Sequence, residues 1–297
     1  MEDLAQTGMI PAELLVHIPG CEDGRQPLAV HPLPGGRGCN EVLSVDTSQG
    51  RFVWRRRLPP IDRPGSYAIH ELQAQRVAAA AGLAPAILAA HPRGHWLVME
   101  FIHMPMWTPE QLQSERGAAR LGAQLARLHA LGLPPGLPVV DVSAMARNYF
   151  ARLATVNAAE AIELAPLQQR VDALGSRLAA FGAPPVLNHG DLMASNMLGD
   201  APVLVDWEYA QGADATWDVA CLLTYYPGMA RFMPTLLAAA GLADTAIATR
   251  LDIQRSVSSC STGCGAPGCQ RRWLIHYRRR QNPGWHQTGN CTFKPWH

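Results

Sequence analysis

The sequence has almost no lysine. Only Lys294 is one among 25 basic residues, and it lies in the last stretch, so a fixed positive charge elsewhere must be an arginine. Charge of either sign is sparse. Charged residues make up 16% and the formal net charge is +1, which gives no footprint for nucleic acid or another polyanion. No run of 18 apolar residues occurs, because Arg, Gln and His interrupt the Ala-rich stretches, and this argues against a membrane-spanning helix. The N-terminus, Met1 to Gln6, is acidic and lacks the charged-then-apolar pattern of a secretory leader, so a cytoplasmic location is expected. Paired C-x2-C units are absent, and Cys21, Cys39 and Cys221 are scattered as in a reduced compartment. The 48% of hydrophobic residues suffices for a packed core in one large domain or two lobes.

The chemistry concentrates between Val186 and Tyr209. Two short apolar runs, Met197-Leu198 and Val203-Leu204-Val205, flank Gly199-Asp200, which is good turn chemistry for a hairpin. A polar loop, His189-Gly190-Asp191 through Asn196, precedes the first run, and Asp206 ends the second. A hairpin would therefore bring Asp191, Asn196 and Asp206 together at one end. That trio suits metal-assisted phosphoryl transfer. One carboxylate takes the proton of an attacking hydroxyl, while an amide oxygen and a second carboxylate hold magnesium, a hard cation that prefers oxygen ligands. A plain turn is the alternative for His-Gly-Asp alone. A metallophosphoesterase loop would need further His and Asp ligands at strand ends, which the sequence does not supply.

The order H-x-D-x4-N, followed by an acid that ends an apolar run, resembles the aminoglycoside phosphotransferase and choline kinase families. The run Leu204-Val205-Asp206-Trp207-Glu208-Tyr209-Ala210 is similar to their choline, ethanolamine and thiamine kinase branch. The resemblance implies a two-lobed, protein-kinase-like α+β fold. A nucleotide-binding small lobe with a five-stranded antiparallel sheet would span 1–102. A larger, mainly helical lobe with the catalytic loop and the acceptor site would span 103–253, leaving a basic, Cys-containing tail over 254–297. It further implies ATP and Mg2+ as cofactors, Asp191 as the catalytic base or hydroxyl-orienting group, and Asn196 and Asp206 as metal ligands. His189 and Asp218 would support the catalytic loop.

Upstream, Pro11–Ile18 reads as a short helix, and Leu28–Leu33, Glu41–Val45 and Arg51–Arg57 read as strands. Gly35 and Gly36 lie between the first two strands, where glycines let backbone N–H groups approach an anion. In the resembled families the third strand carries a lysine for the phosphates. Here an arginine must serve. Period-two alternation puts Val53, Arg55 and Arg57 on one face and Phe52, Trp54 and Arg56 on the other, and Arg55 is the choice for the phosphate contact. At least one of the three arginines is expected to be a solvated edge-strand charge. Tyr67–Ala81 reads as a helix closed by Gly82, and the resemblance assigns its Glu71 to orient the phosphate-binding cation. Ile87–Ala90 and Trp96–Ile102 complete the five strands. Met99–Ile102 resembles the hinge whose backbone contacts adenine, which adds Glu100 and Ile102 to the nucleotide-binding candidates.

Pro109–Leu131 reads as one long amphipathic helical region with Leu121, Leu125 and Leu128 on one stripe, and His129 at its end reads as a core or capping residue. Helices are expected over Val142–Thr155, Ala158–Ile162 and Leu167–Ala180, with a helical pair around Gly241. Trp217, Tyr225 and Tyr226 could form an aromatic wall that holds an ammonium substrate, worth roughly 0.5–2 kcal/mol per contact, with core packing as the alternative. Glu208 is a further substrate-binding candidate.

From about Gln254 the Ala and Leu periodicity is expected to stop. Between 251 and 297 seven basic residues meet one acid, whereas the remainder holds 18 basic and 23 acidic residues. Three readings compete for this stretch: a frameshifted end, a disordered basic extension, or a zinc site drawing on Cys260, Cys264, Cys269 and Cys291 or a His. The C-x3-C-x4-C spacing of the last is not a standard ligand spacing.

The expected activity is transfer of the γ-phosphoryl group of ATP to the hydroxyl of a small molecule, an amino-alcohol such as choline or ethanolamine, or thiamine. An aminoglycoside-type antibiotic acceptor is the enzyme alternative. A nucleotide-binding protein without turnover, impaired by its altered C-terminus, is the alternative from another class. No nucleic acid or membrane partner is expected, and no oligomeric state is read from the sequence.

Overall fold

The computed structural model describes residues 10–33, 40–58, 68–156, 158–163, 165–242 and 245–260. The expectations for Gly35, Gly36 and the tail cysteines Cys264, Cys269 and Cys291 fall outside these residues.

A four-residue helix, α1 (Ala12–Leu15), leads into an antiparallel sheet. Its strands are β1 (Ala29–Pro32), β2 (Asn40–Thr47), β3 (Gly50–Arg57), β4 (Ile87–Ala90) and β5 (Trp96–Glu100), in the spatial order β1-β2-β3-β5-β4. The expected five-stranded antiparallel small lobe is therefore present. One face of the sheet buries Trp54 against Leu43, Val45 and Val98, together with Leu15 and Ile18 from the α1 segment. Helix α2 (Ala68–Ala80) contributes Glu71, which meets Arg55 and Arg57 of the other face.

The central position of β3 overturns the expectation of a solvated arginine. All three arginines lie between two hydrogen-bonded neighbours, and their side chains keep only 6% (Arg55), 15% (Arg56) and 12% (Arg57) of their area open. Arg56 points to the opposite face, as the alternation requires. There it donates to Glu41 at 2.6 Å and lies 5.6 Å from the Trp54 ring centroid.

The long helical region after the hinge is two helices, α3 (Pro109–Leu112) and α4 (Glu115–His129). Two N-caps explain the break. The Thr108 side chain accepts from Gln111 N–H in a full capping box, and Ser114 accepts from Gly117 N–H at 3.0 Å. Gly117 must be glycine for steric reasons, because a Cβ there would collide with the Gln111 carbonyl.

The chain continues through α5 (Val142–Val156), α6 (Ala158–Glu163) and α7 (Ala165–Ala179), then β6 (Val186–Asn188), β7 (Met197–Leu198), β8 (Val203–Leu204) and β9 (Gln211–Ala213). The described residues end in α8 (Trp217–Tyr225), α9 (Met233–Ala239) and α10 (Thr245–Cys260). The stripe Leu121, Leu125 and Leu128 packs with Leu187, Leu204, Trp207 and Leu222 in the main core, and α2 joins it through Ala74 and Ala78. A second core holds Val142, Phe150, Val171, Leu174, Ile253 and Val257.

That second core corrects the reading of the C-terminal end. Ile247, Leu251, Gln254 and Val257 are all buried at steps of four, three and three, so the helical stripe runs through Gln254. Of the seven basic residues from 251 onward only Arg255 lies in α10, and the other six follow it, outside the described residues. Among the described residues no helix is long and apolar enough to cross a membrane.

Candidate active site

The expected hairpin is β7–β8, with Met197 opposite Leu204 and Leu198 opposite Val203. It holds both halves of the site together, since Val205 N–H donates to Asn196 O at 3.0 Å, just before Asp206. Asp206 has φ 66°, the one positive value among the described non-glycine residues. A left-handed acid of this kind persists only where its surroundings fix it. Trp207 supplies the fixing: it is fully buried, donates from Nε1 to Leu204 O at 2.9 Å, and meets the His189 ring edge-on at 4.8 Å.

His189 is a brace between the two segments. Its Nε2 lies 3.0 Å from Val205 O, and Asp191 N–H approaches Nδ1 at 3.3 Å. The carbonyl can only accept, so the network assigns the proton to Nε2 and leaves Nδ1 as the acceptor. Asp218 is completely buried at the start of α8 and accepts from His189 N–H at 2.9 Å and Gly190 N–H at 2.7 Å. Burial pushes its carboxyl up, partly offset by His189 and these N–H donors. Gly190 has φ 79°, and a Cβ would strike the Tyr209 carbonyl, so this turn of the loop requires glycine.

Asn196 ends a 3-10 turn, Ala194–Asn196, and donates from Nδ2 to Asp191 Oδ2 at 3.1 Å and to Asp191 O at 3.0 Å. Both bonds use Nδ2, so Oδ1 remains an acceptor. Across the site, Arg55 pairs with Glu71 and lies 3.6 Å from Asp206 Oδ1. Arg57, which the sequence reading had not assigned a role, donates to the second Glu71 oxygen at 2.8 Å. Burial alone would raise the Glu71 carboxyl, but Arg55 and Arg57 outweigh it and hold it below the usual range.

Asp206 and Glu208 are displaced the other way. Burial first, then the Glu208 carboxylate, push Asp206 up despite Arg55, although its side chain still opens to the cleft. Burial and Glu71 push Glu208 up. Burial is the first cause of both shifts, and the crowding of carboxylates adds to it. A divalent cation would relieve that crowding, and the donors Asn196 Oδ1 and Asp206 are the hard oxygens magnesium accepts. No group of three or more His, Cys, Asp or Glu suited to a metal occurs among the described residues, so such an ion would draw its other ligands from water and substrate.

The remaining candidates divide. Glu208 joins the cluster, and Asn40, at the start of β2, donates to it at 3.4 Å. Glu100 is tied to Ala86 by its own N–H at 3.0 Å and by its side chain at 3.1 Å, and half-buried Ile102 follows the end of β5. Trp217 packs against the second core, and Tyr225 is half-buried on α8. The Tyr226 hydroxyl accepts from Ala194 N–H at 3.0 Å. Burial, with Asp191 nearby, holds its phenol above the usual value.

Residues 30–250 match the profile of the phosphotransferase enzyme family. No curated protein matches the chain in sequence. Among solved structures, a choline/ethanolamine kinase family protein from Mesorhizobium loti is 23% identical with a TM-score of 0.70, covering 92% of this chain and 86% of its own. A choline kinase from Cryptosporidium parvum Iowa II is 16% identical with a TM-score of 0.65, covering 91% and 94%. An ADP-bound aminoglycoside phosphotransferase is 16% identical with a TM-score of 0.63, covering 94% and 93%. At these identities the likeness is one of fold.

Proposed function

The chain belongs to the phosphotransferase enzyme family, and from that membership we propose that it moves the γ-phosphoryl group of ATP to the hydroxyl of a small amino-alcohol, choline or ethanolamine, or of thiamine. The observation that carries the reading is the Arg55 guanidinium, paired to Glu71 and 3.6 Å from Asp206. It sets one fixed cation beside the acid at the end of the hairpin, while Asn196 ties the same hairpin to Asp191.

Each residue then has a task. Arg55 contacts phosphate oxygens through two N–H groups, and Glu71 keeps it in place. Asp191 orients the acceptor hydroxyl and takes its proton, and Asn196 Nδ2 restrains the carboxylate. Asn196 Oδ1 and Asp206 would hold magnesium, which when bound neutralises charge on the phosphate oxygens. Asp218 fixes the loop that carries Asp191.

The amino-alcohol acceptor is favoured by the run Leu204 to Ala210 and by the likeness to choline kinases. The likeness to an aminoglycoside phosphotransferase supports a second reading, an antibiotic acceptor. The test is incubation with ATP and magnesium against choline, ethanolamine, thiamine and an aminoglycoside, with the phosphorylated product identified by mass spectrometry. A phosphorylated amino-alcohol or thiamine is expected. A phosphorylated aminoglycoside alone would shift the reading to the second acceptor class, and no product from any of the four would refute both.

A further inference from the structure

Helix α8 grips the catalytic loop at two points. Near its start, buried Asp218 holds the N–H groups of His189 and Gly190. At its C-terminal cap, the Tyr226 hydroxyl holds the N–H of Ala194 at 3.0 Å. The two side chains are eight residues apart, roughly 12 Å along a helix. Asp191 lies on the loop between the two grips.

The second grip bears on the reacting end of the loop. Ala194 opens the 3-10 turn that ends at Asn196, and Asn196 Nδ2 donates to Asp191 Oδ2. Ala194 is 2% exposed, so water has little access to replace the phenol, and a buried N–H left unpaired is costly. Tyr226 is itself well anchored. Its N–H donates to Leu222 O at 2.8 Å, its carbonyl accepts from Met229 N–H at 2.9 Å, and its ring packs against the main core. A rigid helix end therefore sets where the turn begins.

We propose that Tyr226 is a positioning residue for phosphoryl transfer: its hydroxyl fixes the turn that carries Asn196, and through Asn196 the angle at which Asp191 meets the acceptor. This rests on the transfer reaction proposed above. It gives the third aromatic of the expected substrate wall a different task, acting through the loop. Tyr225, its neighbour on α8, remains the acceptor-side candidate, so one helix would carry both acceptor contact and loop geometry.

Tyr226→Phe removes the hydroxyl and keeps the ring. Hydrogen exchange on the ligand-free protein should show the Ala194 amide exchanging about tenfold faster, while the His189 and Gly190 amides, held by Asp218, keep their rates. This arm needs no substrate. In the kinase assay, using whichever of the four acceptors is turned over, kcat should fall about tenfold with the KM for ATP within about twofold and little change in Tm. Unchanged exchange at Ala194 would overturn the grip. Faster exchange with unchanged kcat would overturn the positioning role. A wild-type protein inactive on all four acceptors, with faster exchange in the variant, would refute the proposed transfer and Tyr226's role in it while supporting the grip itself.

Discussion

Replacing Glu71 with glutamine removes one charge from a balance of three. Glu71 is 1% exposed, faces Arg55 with one oxygen, and accepts from Arg57 at 2.8 Å with the other. Without the carboxylate, two guanidinium groups sit close together in a buried setting. The nearest compensation for Arg55 is then Asp206 at 3.6 Å. Removing one partner of a buried ion pair costs about 3–5 kcal/mol, and glutamine, which keeps one acceptor oxygen, belongs at the lower end. A loss of about 3 kcal/mol corresponds to roughly 6–12 °C in Tm for a domain of this size class. The measurement is thermal and urea unfolding of both proteins between pH 8 and pH 3. Because the folded pKa of Glu71 is depressed, its contribution is fully present above the unfolded value of about 4.3 and is lost as pH falls through the folded one. The part of the gap that belongs to the Glu71 charge should therefore close only below about pH 5, while above that Asp206, pushed up in part by Glu71, adds a pH dependence of its own. Adding Arg57→Gln to Glu71→Gln should recover part of the loss, since the second change removes one of the two neighbouring buried charges that had shared Glu71. A loss below about 1 kcal/mol at pH 6, or a gap that does not narrow between pH 5 and 3, would refute the two-arginine account.

Asp191→Asn should lower kcat by about 10²–10⁴-fold while isothermal titration finds ATP affinity near that of the wild type; a variant that keeps most of its kcat would remove Asp191 from the mechanism. Asp206→Ala should shift the magnesium titration of activity to higher concentration, and an unchanged curve would end its assignment as a metal ligand. His129 should give an acid-sensitive step. Burial lowers its pKa to about 4 against the opposing pull of Asp214, and among the described residues neither ring nitrogen has a hydrogen-bond partner. The unfolded chain takes up a proton below about 6.5 and the folded one only near 4, so stability should fall across that window by up to about 3 kcal/mol. His129→Leu should flatten this part of the pH–stability profile, and an unchanged profile would show that another group is responsible.

What the sequence made legible was local. Asp191, Asn196 and Asp206 lie within sixteen residues of one another and flank one hairpin, so turn chemistry and spacing were enough to bring them to one end of it. Arg57 was half legible. Period-two alternation placed it on the face of Arg55, but only the packing of α2 on β3 shows that Glu71 is placed to meet both. Nothing in the spacing could reveal that Tyr226 reaches Ala194, thirty-two residues back, or that Asn40 reaches Glu208, because those contacts depend on how whole elements pack. Trp217 and Tyr226 show the limit from the other side. Both are aromatic, on or next to one helix and near the loop, yet one is drawn into the second core and the other holds a backbone amide.

The C-terminal end exposes a different error, one of scale. Counting charges from Leu251 onward weighs every residue alike, whereas a packed helix is decided by one position in three or four. Ile247, Leu251, Gln254 and Val257 continue the buried stripe although Arg250, Asp252 and Arg255 stand among them. Those charged positions are where a helix packed on one side is expected to carry polar residues, and the other six basic residues of the count lie beyond α10. The helix contributes Ile253 and Val257 to the core that α5 and α7 build, so a truncation before Thr245 would uncover Val142, Phe150 and Leu174. A stop at Thr245, which removes α10 with Ile253 and Val257, should accordingly give an aggregating protein. If the shorter protein were soluble and melted with the wild type, α10 would be an appendage and the second core complete without it.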